Sequence, residues 1–198
     1  SGFDELQRDA TVGTSSLRRR SQLLARRGEL RVRDLRGNVT TRLDKLRHGE
    51  FDAIVLAAAG LKRLGFGDRI SSVFETTEVI PAVGQGAIGI ECRANDERSG
   101  ALVAPLHDAQ TGLCIEAERA MSARLLGGCD VPLAAHATLG DGVLRLAGLV
   151  ASLDGRRIVR QEKAGPVSDG IELGRQLGEA LLTAGAAAIL DDLQRDQI

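Results

Sequence analysis

The sequence predicts an α/β lobe built on a parallel sheet, followed by a small C-terminal α+β domain with a three-stranded antiparallel sheet. Two observations lead to this prediction. Short apolar runs alternate with helical patterns over residues 10–58, and a β-α-β-α-β order is typical of a helix-covered parallel sheet. After residue 134 the pattern changes to three strand-like segments joined by Gly-Asp-Gly and Asp-Gly turns, which favour antiparallel hairpins.

The elements predicted for the first half follow one another closely. They are a strand at 10–13, a helix at 17–27, a strand at 30–35, a helix at 39–47 and a strand at 52–58. Thr14, Ser15 and Ser16 supply hydroxyl groups suited to capping the first helix, and Gly28 is suited to ending it. The continuous apolar run at 52–58 predicts a strand that is buried on both faces.

The second half is predicted to begin with a crossover and to end in helices. After a hinge or crossover at Pro81–Gly86, the predicted elements are a strand at 87–92, a helix at 109–126, strands at 134–139, 143–153 and 156–162, and helices at 168–184 and 186–193. We expect three parts: the α/β lobe at 1–84, a connecting segment at 85–105 and the α+β domain at 106–198.

The composition excludes several classes of protein. With four Phe and neither Tyr nor Trp, the chain lacks the stacking residues of single-strand nucleic-acid binders. No apolar stretch is long enough to span a membrane, and no signal pattern opens the sequence, so a cytoplasmic location is predicted. The three cysteines and three scattered histidines favour neither a disulfide framework nor a metal site, so no metal is predicted.

Positive charge is concentrated in one part of the chain. The thirty residues from Arg18 to Arg47 contain eleven basic and three acidic residues, an excess of eight positive charges, although the net charge of the chain is -1. A field of this sign attracts an anionic partner.

The first helix offers a candidate anion site. Its N-terminus at Thr14, Ser15 and Ser16 presents free backbone N–H groups and a favourable dipole to an anion, and Arg18 and Arg19 add forked donors suited to carboxylate or phosphate. The alternative interpretation, a capped helix with a solvated basic face, is the more common one for this pattern.

Further arginines follow the next two predicted strands. Arg36 comes after the strand at 30–35, Arg42 lies about one helical turn beyond, and Lys62-Arg63 follows the strand at 52–58. In open α/β sheets, ligands bind outside the carboxyl ends of the strands. The pattern is compatible both with an anion site at this edge and with unrelated surface charge.

The cysteines differ in their sequence context. Cys92 alternates with apolar residues and Cys114 shares a helical face with them, so both are predicted to lie in the core. Cys129 lies in the loop Gly127-Gly128-Cys129-Asp130, where it is expected to be accessible, although a free thiol in a turn can also be accidental. Gln85 could donate to a ligand or could only satisfy backbone groups of the crossover.

Five segments of the sequence together resemble the porphobilinogen deaminase family. They are VGTSSLRR, DLRGNVTTRLDKL, DAIVLAAAGLKRLG, PAVGQGAIGIECR and AERAMSARLLGGCDVP, in the family's order and with comparable spacing. The resemblance extends from about Thr11 to the C-terminus. It implies two periplasmic-binding-like α/β lobes and a third, C-terminal α+β domain.

The resemblance also implies a ligand set. A dipyrromethane cofactor would be held through a thioether to Cys129, with its carboxylates and those of the growing chain bound by arginines and by the hydroxyl cluster. The residues so implied for the cofactor are Thr14, Ser15, Ser16, Arg18, Arg19, Arg36 and Gln85, and those implied for the substrate are Arg18, Arg36, Arg42 and Arg63.

The reaction implied is that of hydroxymethylbilane synthase, a transferase of haem biosynthesis that condenses four porphobilinogen units with release of ammonia. In this family an N-terminal lobe carries the catalytic aspartate, so no catalytic residue is assigned here and the chain alone is expected to be inactive. The expected partners are porphobilinogen, polypyrrole intermediates and that lobe, with a separate chain as one form that it could take. Residues 85–105 would return to it, and the complete enzyme would be a monomer.

Two other functions compete with this interpretation. A non-catalytic, periplasmic-type module that binds a small anion would explain the arginines but would give Cys129 no role. A nucleic-acid binder using residues 18–47 is opposed by the near-neutral total charge and by the scarcity of aromatic residues.

Overall fold

The computed structural model describes residues 2–125 and 131–195. Its first part is a parallel sheet with one helix after each strand. The strands are β1 (Thr11–Gly13), β2 (Arg31–Arg33) and β3 (Ala53–Ile54), in the order β2-β1-β3. The helices are α1 (Leu17–Arg26), α2 (Val39–Arg47) and α3 (Ala58–Arg63). The predicted β-α-β-α-β order is therefore confirmed.

Side-chain caps set the starts of the first two helices. The Ser16 side chain accepts a hydrogen bond from the Arg19 amide, and the Asn38 side chain accepts one from the Thr41 amide. Such caps satisfy amides that have no partner within the helix. Apolar side chains from β1 and α1, including the fully buried Val12 and Leu23, form the small core of this lobe.

The strand predicted at 52–58 is much shorter than expected. Only Ala53 and Ile54 form β3, and both are half-buried, so the prediction of a strand buried on both faces is wrong. Because β3 pairs only with β1 among the described residues, its other edge has no strand beside it. An apolar run by itself does not distinguish this edge position from a central one.

The strand predicted at Ala87–Cys92 is absent. These residues are irregular, the side chains of Ile88 and Ile90 are 88% and 52% exposed, and Cys92 is exposed, so its predicted place in the core is also wrong. An extended segment becomes a strand only when another strand satisfies its backbone groups, and none of the described strands lies beside this one. A short helix, α4 (Glu97–Val103), follows.

The predicted α+β arrangement of the C-terminal part is confirmed for the described residues. Its elements are α5 (Ala109–Arg124), β4 (Leu133–Gly140), β5 (Val143–Ala151), β6 (Ile158–Pro166), α6 (Gly170–Leu181) and α7 (Ala187–Arg195). The strands form an antiparallel sheet in the order β4-β5-β6. Gly185, with φ of 111°, lies at the kink that separates α6 from α7.

The core of the C-terminal part lies between the antiparallel sheet and its helices. Met121 from α5, Leu146 and Val150 from β5, and Leu177 and Leu181 from α6 are at most 1% exposed. A methyl group on Gly174 would contact the carbonyl oxygen of Ala117, so glycine permits α5 and α6 to approach closely.

The crossover is docked on the C-terminal sheet. The Ile80 side chain is fully buried with Ala134, Leu149 and Ala151 of β4 and β5. The Ala135 amide donates to the carbonyl oxygen of Pro81 at 3.1 Å. The segment predicted as a hinge is therefore joined to the C-terminal sheet by packing and by hydrogen bonding.

Candidate functional site

The turn between β1 and α1 is shaped by its own hydroxyl groups. The Ser15 hydroxyl donates to the Leu35 carbonyl oxygen at 2.8 Å and accepts from the Leu35 amide at 3.1 Å. Thr14 Oγ1 accepts from the Ser16 amide at 3.2 Å, and Ser16 Oγ accepts from the Arg19 amide at 3.3 Å. These bonds match the interpretation of the cluster as a helix cap and fix the position from which the following arginines extend.

Arg18 is buried and held by two acceptors. Only 8% of the residue is exposed; Nη1 donates to the Ile80 carbonyl oxygen at 2.6 Å and Nη2 to Gln85 Oε1 at 3.2 Å. Burial, and secondarily the charge of Arg19, lowers the pKa of Arg18 to about 10. The guanidinium therefore stays protonated at neutral pH in a partly desolvated position.

Arg19 lies near Arg18, and Arg42 lies near Arg19. Arg19 is half-buried and its Nη1 donates to the Val55 carbonyl oxygen at 3.1 Å, while burial and then the charge of Arg42 lower its pKa. Arg42 Nε donates to the Gly37 carbonyl oxygen at 2.7 Å. We refer to Arg18, Arg19 and Arg42 as the arginine cluster.

The arginine cluster has no acidic partner within residues 2–125 and 131–195, whereas arginines such as Arg26 and Arg157 in the same structure form ion pairs. Like charges close together disfavour the charged form of each other, and burial adds to this cost. A bound anion would relieve both effects. The arrangement therefore suits one or more carboxylate groups.

Arg36 and Arg63 occupy more open positions. Arg36 follows β2, its side chain is 84% exposed, and its Nη2 lies 3.8 Å from Asp34 Oδ2. Arg63 lies in the last turn of α3 and is exposed, one short helix away from the end of β3. The structure thus brings Arg18, Arg19 and Arg42 together and leaves Arg36 and Arg63 at the surface.

A cavity of about 430 Å³ borders the arginine cluster. Its lining is mainly apolar and includes the β3 residues Ala53 and Ile54, while Arg18, Arg19 and Gln85 contribute polar groups. Arg69, a residue that the sequence analysis did not select, also lines it. Six of the sequence-predicted ligand residues do not line this cavity: Thr14, Ser15, Ser16, Arg36, Arg42 and Arg63.

Gln85 contacts both the crossover backbone and the arginine cluster. Its Oε1 accepts from the Ala82 amide at 3.1 Å and from Arg18 Nη2 at 3.2 Å. The first bond stabilises the turn and the second helps to orient Arg18. Both roles considered for Gln85 from the sequence, backbone partner and contributor to a ligand site, are compatible with these contacts.

Glu118, which sequence reasoning missed, joins the crossover to the C-terminal sheet. This carboxylate is 5% exposed and accepts from the Gly84 amide at 2.6 Å and from the Ala137 amide at 2.8 Å. His136 Nδ1 lies 3.9 Å from Glu118 Oε1. An acidic residue on the helical face of Cys114 and Met121 was the available signal, because a carboxylate among apolar positions needs buried partners.

The cysteines fall into three situations. Cys92 is exposed, and Cys114 is half-buried against the C-terminal core. Burial, followed by the charges of Glu118 and Asp108, raises the pKa of the Cys114 thiol, which disfavours a reactive thiolate. Cys129, the predicted attachment point, lies outside the described residues, so its placement remains a prediction.

The described residues contain neither a metal-binding cluster nor a membrane-spanning helix. No group of three or more His, Cys, Asp or Glu side chains between residues 2 and 125 or 131 and 195 is arranged to hold a metal ion. In the same ranges, no helix has the length and apolar character needed to cross a bilayer.

Comparison with known proteins identifies relatives of the chain. Residues 1–101 match the family model described as "Porphobilinogen deaminase, dipyromethane cofactor binding domain", and residues 112–183 match "Porphobilinogen deaminase, C-terminal domain". The alternative of a non-catalytic anion-binding module finds no support in these matches.

Two relatives named porphobilinogen deaminase align with nearly the whole chain. The protein from Syntrophotalea carbinolica is 50% identical over 95% of this chain, and that from Syntrophobacter fumaroxidans is 47% identical over 98%. The aligned regions are 60% and 63% of these relatives, so the chain spans about three fifths of their length. With two family models that together cover most of it, the chain belongs to the porphobilinogen deaminase family.

Proposed function

We propose that this chain supplies the carboxylate-binding lobe and the cofactor-bearing domain of a hydroxymethylbilane synthase. The complete enzyme would condense four porphobilinogen molecules, with release of ammonia, into hydroxymethylbilane. The observation that carries the proposal is the arginine cluster of Arg18, Arg19 and Arg42, which lies beside the β1–α1 turn and has no acidic partner among the described residues.

The arginine cluster fits the cofactor that the family model names. Each pyrrole ring derived from porphobilinogen carries two carboxylates, so a dipyrromethane presents four negative charges to the protein. A charge-assisted hydrogen bond contributes roughly 1.5–3 kcal/mol, and partial burial at Arg18 and Arg19 limits competition from water. The residues present therefore suit the dipyrromethane chemically.

We assign the cofactor ligands as the sequence resemblance suggests. Cys129 would form the thioether, and Arg18, Arg19, Arg36 and Gln85 would bind near the carboxylates, with Thr14, Ser15 and Ser16 shaping the β1–α1 turn. When bound, the dipyrromethane supplies the pyrrole carbon at which new units are added. The protein groups hold its carboxylates and orient it.

Substrate binding would extend from the same residues. Arg18 and Arg42 belong to the arginine cluster, and the exposed Arg36 and Arg63 would reach the acetate and propionate groups of incoming units. Several arginines are needed because each addition brings two further carboxylates to the chain. Guanidinium groups suit this task because their planar fork binds a carboxylate through two parallel hydrogen bonds.

The division of labour follows from the two sheets. Residues 1–84 would form a periplasmic-binding-like lobe that binds carboxylates, 106–198 the cofactor-bearing domain, and 85–105 a return to an N-terminal lobe. Exposed Ile88, Ile90 and Leu102 support a docking role for the segment at 85–105. The occupant would be the N-terminal lobe, since the relatives are longer than this chain. The same proposal includes an N-terminal lobe that can be a separate chain and a complete enzyme that is a monomer.

Peptide mapping of the cofactor tests this function. The chain is purified together with the N-terminal lobe of a relative, exposed to porphobilinogen and digested, and its intact mass is measured. We expect a gain of two pyrrole units, carried by the peptide that contains Cys129. Cys129→Ser should abolish this gain, whereas Cys92→Ser and Cys114→Ser should keep it.

Two results of the peptide mapping would contradict Cys129 as the attachment point. An unmodified Cys129 peptide, or a modification found instead on Cys92 or Cys114, would contradict the assignment. The folded state of each variant is checked by circular dichroism, because a variant that does not fold could lose the cofactor for an unrelated reason.

A further inference from the structure

Gln22 makes a two-way hydrogen-bonded contact with the backbone of one residue. Its Oε1 accepts from the Ile80 amide at 2.8 Å, and its Nε2 donates to the Ile80 carbonyl oxygen at 3.0 Å and to the Arg18 carbonyl oxygen at 3.2 Å. The residue is 3% exposed. A primary amide has a donor and an acceptor on separate atoms, so it can pair with both polar groups of one residue and still donate a further hydrogen bond, whereas an ammonium group has no acceptor.

The carbonyl group held by Gln22 also holds Arg18. The Ile80 carbonyl oxygen accepts from Arg18 Nη1 at 2.6 Å and from Gln22 Nε2 at 3.0 Å. Arg18 and Gln22 lie four residues apart on α1 and therefore on the same face of the helix. The position of the Ile80 backbone consequently determines where the Arg18 guanidinium can bond.

The Ile80 side chain connects this contact to the C-terminal sheet. It is fully buried with Ala134, Leu149 and Ala151, and the Glu118 carboxylate holds the same crossover at the Gly84 amide. The crossover is thus fixed from two sides, by Gln22 on α1 and by the C-terminal part. An arginine oriented by this segment is placed relative to the domain that carries Cys129 in the sequence.

We propose that Gln22 is a positioning residue for Arg18: by holding the Ile80 backbone, it sets the orientation of the Arg18 guanidinium toward the cavity and couples that orientation to the C-terminal domain. Gln22 does not line the cavity, so it acts through Ile80 and Arg18. The effect on ligand binding rests on the carboxylate-binding role proposed above for Arg18. The effect on the orientation of Arg18 does not depend on that role.

Nitrogen NMR of the Arg18 side chain tests the orientation directly. Separate resonances for the two Nη atoms indicate restricted rotation of the guanidinium, and we expect them in the unsubstituted chain. In Gln22→Leu, which has similar volume but neither donor nor acceptor, they should merge into one averaged signal. Gln22→Asn keeps an amide but is one methylene shorter, and it should also give one averaged signal. This variant replaces Gln22→Leu in the test if Gln22→Leu does not fold.

Leu23→Ala is the matched control for lost stability. Leu23 is fully buried in the neighbouring core of the α/β lobe and is adjacent to Gln22 on α1, but it makes no hydrogen bond to Ile80 through its side chain. This variant should unfold at lower temperature and still show separate Arg18 Nη resonances. Separate resonances in both Gln22 variants, or averaged ones in Leu23→Ala, would overturn the positioning role.

Titration with porphobilinogen measures the consequence for binding. The dissociation constant of the Gln22→Leu chain should rise at least about tenfold, equivalent to about 1.4 kcal/mol, while Leu23→Ala should stay within about twofold of the unsubstituted chain. Unchanged affinity in Gln22→Leu would contradict the coupling to ligand binding. If the unsubstituted chain, purified together with the N-terminal lobe of a relative, binds no porphobilinogen, the proposed function is contradicted, and the NMR result still decides the role of Gln22.

Discussion

The antiparallel sheet has strands of eight or nine residues, whereas the strands of the parallel sheet are two or three residues long. Their cores differ in the same direction. Among the described residues, the main cluster of the C-terminal part contains fifteen buried apolar residues, and the cluster around β1 and α1 contains four. Burial of apolar area is the main favourable term in folding, so the C-terminal part is the more self-sufficient of the two.

In the proposed function, the parallel-sheet lobe would contribute ligand-binding groups in place of a large core. Its arginine cluster is partly buried without acidic partners among the described residues, which is unfavourable for the free protein and favourable for an anion complex. The exposed apolar side chains of residues 87–106 adjoin this lobe in sequence. The comparison indicates that the C-terminal part is stabilised mainly by its own packing, whereas the lobe has the smaller apolar cluster.

The largest effect is expected for turnover by the chain alone. We predict that the 198-residue chain forms no hydroxymethylbilane, because the family's catalytic aspartate has no assigned counterpart here and preorganised electrostatics is often the largest catalytic contribution. An N-terminal lobe supplied as a second chain or a fusion should restore activity. Porphobilinogen consumption, with and without that lobe, is the measurement.

Robust turnover by the chain alone would contradict the prediction that the catalytic acid lies outside this chain. It would mean that the parallel-sheet lobe contains its own catalytic acid. The first residues to substitute would then be Asp34 and Asp44, which lie near the arginines. The chain with Cys129→Ser serves as the blank, since it retains the arginines but lacks the predicted attachment point.

The second effect concerns arginine chemistry in the parallel-sheet lobe. In the complete enzyme, Arg18→Lys and Arg36→Lys should each lower kcat/KM for porphobilinogen about tenfold or more, because lysine cannot form the two-bond fork with a carboxylate. Arg31→Lys is the matched control. The Arg31 side chain is also exposed and lies 3.9 Å from Asp9, much as Arg36 lies 3.8 Å from Asp34.

The matched pair separates function from stability. The ion pairs of Arg31 with Asp9 and of Arg36 with Asp34 lie at the surface and contribute little to stability. Arg31→Lys and Arg36→Lys should therefore unfold at similar temperatures. Equal kcat/KM for the Arg18, Arg31 and Arg36 variants would argue against an arginine-lined carboxylate site.

The sequence predicted the elements best where local signals agreed with the final contacts. Helix α2 begins and ends where it was predicted, at Val39 and Arg47, and the three C-terminal strands follow the predicted hairpin turns. In these segments periodicity, caps and turn residues favour the same structure. Segment 87–92 has the same kind of local signal, but a strand also needs a partner edge, which lies elsewhere in sequence.

The candidate site was predicted by residue type and not by contact. The sequence selected Arg18 and Arg19 from their place after a helix cap, and the structure adds Gln22 and Glu118, which hold the crossover beside them. Those contacts join residues 58 and 34 positions apart. No local pattern encodes such distant pairs, although a polar residue on an apolar helical face is a signal that one exists.

The third prediction compares one substitution in two regions. Gly174→Ala should lower the free energy of unfolding by about 1–3 kcal/mol, because the new methyl group would overlap the carbonyl oxygen of Ala117 on α5. Gly60→Ala in α3 meets no atom within 4 Å and should be neutral or stabilising by up to about 1 kcal/mol. Urea unfolding measures both. Equal effects would mean that the C-terminal part is not the more tightly packed region.

The smallest expected effect lies where the two regions meet. The loop between β5 and β6 packs against α1 at Gly155, and the Asp154 carboxylate within it accepts from the Ser152 hydroxyl at 2.6 Å and the Arg156 amide at 3.1 Å. These hydrogen bonds, the Ser152 bond first, lower the pKa of Asp154 below its usual 3.8. A lowered pKa in the folded state stabilises the protein above the unfolded-state value, and this contribution is lost as the pH falls through the folded value.

We therefore expect Asp154→Asn to lower the free energy of unfolding at pH 7 by no more than about 1 kcal/mol, because solvent screens this exposed carboxylate. The variant should accordingly unfold at a slightly lower temperature than the unsubstituted chain. The difference should shrink as the pH falls below about 3.8, since protonation then weakens the same hydrogen bonds in the unsubstituted chain. Thermal unfolding followed from pH 7 to pH 3 measures this difference.

Asp141→Asn is the control. Asp141 lies in the β4–β5 turn with φ of 52°, which asparagine tolerates, so this substitution should change the unfolding temperature little at pH 7 or at pH 3. A difference for Asp154→Asn that persists undiminished at pH 3 would show that the carboxylate stabilises the loop by a means other than its ionised hydrogen bonds.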